Sequence, residues 1–371
     1  MAGGTKRFRF LDGLRGWAAV GVLFHHVFVD GLPPNSFMAD RMIWSKALFV
    51  NGTLAVCVFF VVSGFSLSIR YLETGDERGL ARIAFGRYFR LAVPIFAICA
   101  LTYVLLVSGF IPPADQRPTP LDEYLRFIPA LEGLLSFSLL KVFVSYSNAE
   151  TYDPPLWTMS YEFFGSFMVF AILAVMRTGT LRTWVFAATF AALALWQSFY
   201  ALFIGGILLA DLFRQFHTRK PAELLGGALC CGGIILCLFL NAWFGFAYIA
   251  SAMLLTAGVA FCGPVRRLFE NSLSDFLGRI SYPLYLVQAV IIYSFSLWSL
   301  DALSTFGLAQ STQRWIVDFA TLPVAFLGAI AFSPANDFAV ALSRKFGAMA
   351  IAALDRLSGR PAQSIRPAPL P

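Results

Sequence analysis

Residues 7–26 read RFRFLDGLRGWAAVGVLFHH. The apolar run that begins here, at about residues 10–29, has the length of a bilayer-spanning helix, since about twenty residues at 1.5 Å each match roughly 30 Å of hydrocarbon. Arg15 stands near one end of the run and His25-His26 lie inside it. Arg15 and His26 are eleven positions apart. At about 100° per residue they fall within about 20° of a whole number of turns, so a continuous helix carries both on one face, about 16 Å apart along its axis. His25 points about 100° away from His26. Asp12, one turn before Arg15, is placed to hold its guanidinium. Arg15 can be a simple anchor at the inner membrane surface, and His26 a core histidine bonded between helices. The shared face favours function, because ionisable groups at membrane depth are costly and commonly functional.

The surrounding chain is of the same kind. It has 371 residues, 58% hydrophobic and 13% charged. A soluble domain is about 25% charged, so a soluble globule is excluded, and so is a disordered chain, which requires low hydrophobicity. Aromatics reach 16%, with 39 Phe and 8 Trp, as lipid-facing surfaces and interfacial belts require. Ten-residue segments of alternating hydrophobicity, the mark of a membrane β-barrel, are not visible. The expected fold is an all-α membrane protein with spans near 10–29, 47–69, 91–111, 157–176, 183–198, 200–213, 224–241, 245–262, 280–298 and 315–334. The fifth and sixth spans are short and nearly fused at Gln197-Ser198-Phe199-Tyr200.

With the N-terminus in the cytoplasm, 22 of the 28 Lys and Arg residues fall inside. Arg41, Lys46, Arg117, Arg126, Lys141 and Arg314 fall outside. This asymmetry predicts ten spans with both termini cytoplasmic. The stretch 127–145 is interrupted by Glu132 and Lys141. Counting it as a span would put Arg214, Arg219, Lys220, Arg266 and Arg267 outside, so it is expected to be an outer interfacial or re-entrant helix. It belongs to an outer segment, 112–156, that can wall an extracytoplasmic site. Residues 1–345 form the expected membrane domain and 346–371 a cytoplasmic tail, Pro-rich and disordered from about 358. No cleavable signal peptide and no internal repeat are evident. The net charge of +7 sits at the ends of apolar runs, which argues for membrane topology and against nucleic acid. All six cysteines lie in apolar runs and read as buried free thiols. With three His in the chain, zinc-ligand spacing is absent and no metal is expected.

Three further stretches carry chemistry. In GRYFRLAVP (86–94), Arg87 and Arg90 share a helix face. They can clamp phosphates or anchor to anionic lipid headgroups, and spacing leaves both open. In PPLWTMSYEFF (154–164), Glu162 lies about five residues inside a span. It can bind a sugar hydroxyl, pair with His26, transfer a proton, or be a buried structural carboxylate; the cost of burying a lone Glu favours function. In GRISYPLYLVQ (278–288), Ser281, Tyr282, Tyr285 and Gln288 line a polar channel or bond helix to helix. Ser63-Gly64 in FFVVSGF reads as close helix packing, and Asp211 and Asp318 as structural.

These stretches resemble, in order, the motifs of the acyltransferase-3 family of integral membrane acyltransferases. LDGLRG followed by the His of the opening helix gives Arg15 and His26. FFVVSGFSLS is similar to its second-helix segment. GRYFRLAVP is similar to its Arg-x-x-Arg before Pro, giving Arg87 and Arg90, and PPLWTMSYEFF to its Trp-Ser-x-x-x-Glu, giving Trp157 and Glu162. GRISYPLYLVQ is similar to its Ser-Tyr-x-x-Tyr-Leu-x-His. The resemblance covers about residues 7–290. Thr158 stands where Ser is common, and Gln288 where His is usual, which removes a titratable group.

The resemblance implies transfer of an acyl group, often acetyl, from a cytoplasmic acyl-CoA to a hydroxyl of a glycan, lipid-linked sugar or secondary metabolite. The protein would be integral to the plasma membrane, the inner membrane in bacteria. Arg15, Arg87 and Arg90 would hold the acyl-CoA phosphates. His26 would act as general base or carry the acyl group as an acyl-imidazole. Glu162 would bind the acceptor or stabilise the charged imidazole. Asp12, His25, Trp157, Ser160, Ser281, Tyr282 and Gln288 would support or contact substrate. The partners implied are acyl-CoA, a hydroxyl acceptor and membrane lipids. A transporter or flippase of a small anion or glycolipid shares the deep His, the Glu and the basic mouth, but would bring a repeat symmetry that is not seen.

Overall fold

The computed structural model describes residues 8–30, 32, 47–118, 121–176, 181–240 and 244–357. Among them there is no strand. Each expected apolar run corresponds to a helix: α1 Arg9–Phe28, α2 Gly52–Thr74, α3 Glu77–Val107, α4 Thr158–Val175, α5 Arg182–Leu195, α6 Tyr200–Phe216, α7 Lys220–Cys237, α8 Phe246–Phe261, α9 Ser272–Ile291 and α10 Gln310–Leu357. Among the described residues five segments are long and apolar enough to cross a membrane: Gly52–Thr74, Glu77–Val107, Pro154–Val175, Ser272–Ser304 and Gln310–Leu357. Arg182–Leu195, Ala222–Cys237 and Phe246–Phe261 are shorter apolar helices.

Local chemistry sets the ends. Asn51 caps α2 by accepting from the Leu54 amide, and Asp76 caps α3 by accepting from Gly79, each satisfying a donor the helix cannot use. Between α2 and α3 the chain turns at Gly75, whose φ of 67° suits a residue without Cβ. The break between α5 and α6 falls at Gln197, with φ 50°.

Close approaches fix the depths at which these helices cross. α1 packs along α9, and α2 along α6. A Cβ on Gly16 would meet the Gly278 amide at 2.6 Å. One on Gly64 would run into the Phe203 carbonyl, so this second-helix glycine is a close-packing residue. Arg15 is therefore held against the helix that carries Tyr282 and Tyr285.

Within 112–156 the stretch 127–145 forms short helical pieces, Leu131–Ser136, a π turn Phe137–Lys141 and Val142–Val144. Asp211 is structural, bonded to Arg182 at 2.6 Å and to Thr183. Asp318 likewise pairs with Arg314, at 3.3 Å.

α10 runs through position 345 and on to Leu357 against α3. Phe346 stacks on Phe89, ring centres 3.9 Å apart, and Arg78 bonds Asp355 at 3.0 Å. The tail from 358, expected to be disordered, lies outside the described residues, as do Lys6, Arg7, Arg41, Lys46, Arg177, Arg360 and Arg366. One expectation, on the thiols, needs correction. All six cysteines are free, but Cys231 is exposed and Cys230 half-buried, because α7 packs mainly on α8 and turns its other side outward.

Candidate functional site

Two adjoining cavities lie among α1, α2, α3, α4 and α9. The first, about 100 Å³, gathers Arg15, Arg87, Arg90, Glu162 and Tyr282. The shared face of Arg87 and Arg90 brings both to it. Arg87 ion-pairs with Glu162, and its Nε donates to Ser166 Oγ at 2.9 Å. Ser63 Oγ donates to the same carboxylate at 2.8 Å. Arg90 donates to Asn336 Oδ1 at 2.8 Å and lies over the Tyr282 ring, 5.1 Å from its centre. Arg15 Nε is buried without a partner, and no hydrogen bond or ion pair joins Arg15 to Asp12 among the described residues. Three guanidiniums thus face one carboxylate among the described lining residues, an excess of positive charge that an anion would neutralise.

The second cavity is larger, about 320 Å³, and takes in His25, His26, Asp30, Glu123, Tyr124, Trp157 and Tyr293. The two histidines differ in occupation. His25 Nδ1 faces the Val50 carbonyl at 3.0 Å and its Nε2 faces Asp30 at 2.8 Å. His26 forms no hydrogen bond among the described residues; the His25 ring stands 5.6 Å from it, nearly edge-on. An imidazole whose nitrogens are both engaged is fixed in place, whereas one without such bonds can serve an incoming hydroxyl. The wall of this cavity is tied down by Arg117, 5% exposed. Its guanidinium donates to the carbonyls of Pro112, Leu121, Tyr124 and Leu125, at 2.8, 3.1, 2.6 and 3.0 Å.

Val56 and Tyr285 line both cavities. The Tyr285 hydroxyl bonds Thr158 Oγ1 at 2.6 Å and also donates to the Pro155 carbonyl. Arg15 and His26 therefore open on two compartments that meet at this pair, rather than on the single tunnel their common face suggests. Glu162 belongs to the first compartment and His26 to the second, so the pairing of Glu162 with His26 is not formed. Glu162, one turn into α4, is drawn to Arg87 of α3 instead, and Pro154–Trp157 form a short 3-10 turn just before α4.

Trp157 lines the second cavity and Tyr282 the first, whereas Ser160, Ser281 and Gln288 line neither. Ser160 Oγ donates to the Trp157 carbonyl and Ser281 Oγ to Gly278, both within one turn. Gln288 Nε2 donates to the Tyr285 carbonyl at 3.1 Å. Sequence reasoning did not single out Asp30, Ser63 as a hydroxyl donor, or Asn336. An acid five positions after His25 was a usable signal, whereas Asn336 has no local one. Among the described residues no group of three His, Cys, Asp or Glu is placed to hold a metal.

Comparison with known proteins agrees with the motif order. The chain is 25% identical to "O-acetyltransferase PaAT-1" of Phomopsis amygdali, over 76% of this chain and 72% of that protein. It is 22% identical to "Putative O-acetyltransferase SACOL0978" of Staphylococcus aureus (strain COL), over 77% of this chain and 51% of that protein, and to its counterpart SAS0844 of strain MSSA476 to the same extent. The chain thus spans about half the length of the staphylococcal relatives. No solved structure matches it. Residues 8–334 match the family described as the acyltransferase domain, and the chain belongs to that acyltransferase-3 family.

Proposed function

We propose that the protein is a membrane-embedded O-acyltransferase, moving an acyl group, acetyl in the first instance, from acyl-CoA to a hydroxyl of a glycan, lipid-linked sugar or secondary metabolite. The observation that carries this reading is the pair of adjoining cavities, one rich in arginine and one holding an imidazole that makes no hydrogen bond among the described residues. Ten spans place both termini and the arginine compartment toward the cytoplasm, where acyl-CoA is found. Arg15 and Arg90 hold the donor's phosphates, by paired hydrogen bonds where geometry allows. Arg87 completes this set while Glu162 and Ser166 fix its orientation. The pantetheine arm brings the thioester to the Val56–Tyr285 boundary.

On the other side, His26 takes the proton of the acceptor hydroxyl. The oxygen attacks the thioester carbonyl, the C–S bond breaks, and the thiolate leaves and takes up the proton. General-base assistance supplies about 10²–10⁴-fold, and holding donor and acceptor in line supplies much of the remainder. His25, fixed between Val50 and Asp30, holds its neighbour's surroundings, and Trp157 offers the acceptor an apolar face.

The test uses purified protein in lipid nanodiscs with acetyl-labelled acetyl-CoA and a panel of hydroxyl acceptors. Ester formation with coenzyme A release is expected, and His26→Ala should lower it at least about 10²-fold with donor binding retained. Flux of an acceptor across vesicles without thioester cleavage would replace this reading with transport.

A further inference from the structure

We infer that Tyr285 is the partition between the two compartments, a positioning residue that lets the acceptor hydroxyl meet the thioester while keeping water from it. This inference rests on the acyltransfer reading above. Tyr285 and Val56 are common to both cavities, so whatever passes between donor and acceptor passes them.

The ring is braced on every side. Its hydroxyl is bonded to Thr158 and to the Pro155 carbonyl, at the start of the segment that enters the bundle. The Phe59 ring meets it edge-on, centres 6.1 Å apart, from α2. Gln288 holds its backbone carbonyl from one turn further along α9. The residue is 5% exposed. A tyrosine tethered at its tip and packed along its edge is a fixed wall rather than a mobile side chain. Pro154, Pro155 and Trp157 lie on its acceptor side, and Thr158, Met159 and Glu162 on its donor side.

The chemistry requires such a wall. A thioester at the boundary is open to any oxygen nucleophile. With the acceptor, the new C–O bond is an ester and the C–S bond breaks to release coenzyme A thiol. With water, the same C–S bond breaks, but the acyl group leaves as a carboxylic acid and the donor is lost. The roomier, polar acceptor cavity has space for water, and His26 would activate water as readily as a sugar hydroxyl. Exclusion of water must therefore come from what stands between the cavities.

Three variants and two readouts test this. Tyr285→Ala removes the wall, Val56→Ala lowers it from the facing helix, and Tyr285→Phe keeps the ring but cuts its tethers. Thiol release from acetyl-CoA and labelled ester are measured together. Tyr285→Ala and Val56→Ala should lower the ratio of ester to thiol about tenfold, with acceptor-independent hydrolysis appearing. Tyr285→Phe should fall between these and the wild type. A merely structural tyrosine would lower both products in proportion and leave the ratio unchanged. The second readout needs no activity. Met159→Cys on the donor side should resist a membrane-impermeant thiol reagent added from the acceptor side, and react at least about tenfold faster once Tyr285→Ala is added, as read on the peptide containing position 159. Unchanged product ratios in folded variants, or equal labelling with and without Tyr285, would overturn the partition. A wild-type protein that yields no ester and no thiol would overturn the acyltransfer reading instead, and the labelling result would still decide whether Tyr285 separates the compartments. If Tyr285→Ala does not fold, Val56→Ala, alone and combined with Met159→Cys, carries both readouts.

Discussion

Arg87 and Glu162 neutralise each other at the centre of the arginine compartment, and this divides the three arginines into unequal roles. Removing one partner of this partly buried pair leaves the other's charge without its closest counter-charge, at a cost below the ~3–5 kcal/mol of a fully buried pair. Arg87→Ala should therefore unfold at a markedly lower temperature. Adding Glu162→Gln to it should recover much of the loss, an interaction that a double-mutant cycle on the thermal midpoint of purified protein reads directly. Arg15→Ala leaves no carboxylate stranded, because Arg15 Nε has no partner to lose. It should weaken acyl-CoA binding about tenfold at nearly unchanged midpoint, the size of one charge-assisted hydrogen bond. Equal midpoints for Arg87→Ala and Arg15→Ala would contradict this division. The sequence put Arg87 and Arg90 on one face, because three positions on a helix decide that. It was silent on which of them meets a carboxylate 75 positions later, because a long-range pairing depends on where α4 begins, and that is set by the fold of the segment before it.

That segment, 112–156, is an element built from inward-facing polar groups. Arg117 satisfies its guanidinium on four carbonyls of its own loop. Asp153 behaves differently: it is fully buried and neither carboxylate oxygen has a hydrogen-bond partner. Its neighbours are Tyr146, Tyr285, Tyr293 and Cys99, none of them cationic. Burial therefore holds its carboxyl well above the ordinary range, in the protonated form. In the unfolded chain it ionises near pH 4. Below that pH both states carry the proton and Asp153 adds no pH dependence. Above it the unfolded state has lost the proton and the folded state keeps it, so stability falls as pH rises toward the folded value. Asp153→Asn cannot titrate. The difference in thermal midpoint, variant minus wild type, should grow as pH rises above about 4, and a flat difference would show that Asp153 ionises normally in the fold. The sequence marked 127–145 as non-spanning, from Glu132, Lys141 and the placement of Lys and Arg. It read Arg117 as an outer charge and passed over Asp153, because burial in an irregular segment leaves no periodicity to detect.

At the scale of the whole molecule, the apolar runs were legible because twenty-residue hydrophobicity is a local property, whereas the ends of the helices were not. α10 has 48 residues and α3 has 31, about 72 Å and 46 Å of helix against roughly 30 Å of hydrocarbon. Both overshoot, and they do so together. Arg78 reaches Asp355, and Phe89 stacks on Phe346, so the surplus of each helix lies beside the surplus of the other. Paired surpluses leave the bilayer on the same face, and the excess of Lys and Arg favours the cytoplasm for it. In the proposed arrangement of ten crossings, the turn after α2 and the approach to α9 lie with that stalk, and the segment after α3 and the turn before α10 lie opposite. Single cysteines at the exposed positions Glu73 and Ser272 should react with a membrane-impermeant thiol reagent only in inverted vesicles, and cysteines at Gln116 and Ala309 only in right-side-out cells. Cys231, exposed on α7, serves as the background control. If Gln116 and Ser272 react from the same side, either one of the helices α4–α8 does not cross or the stretch 127–145 does. The arginine compartment would then lose its assigned access to acyl-CoA, even with its internal geometry unchanged.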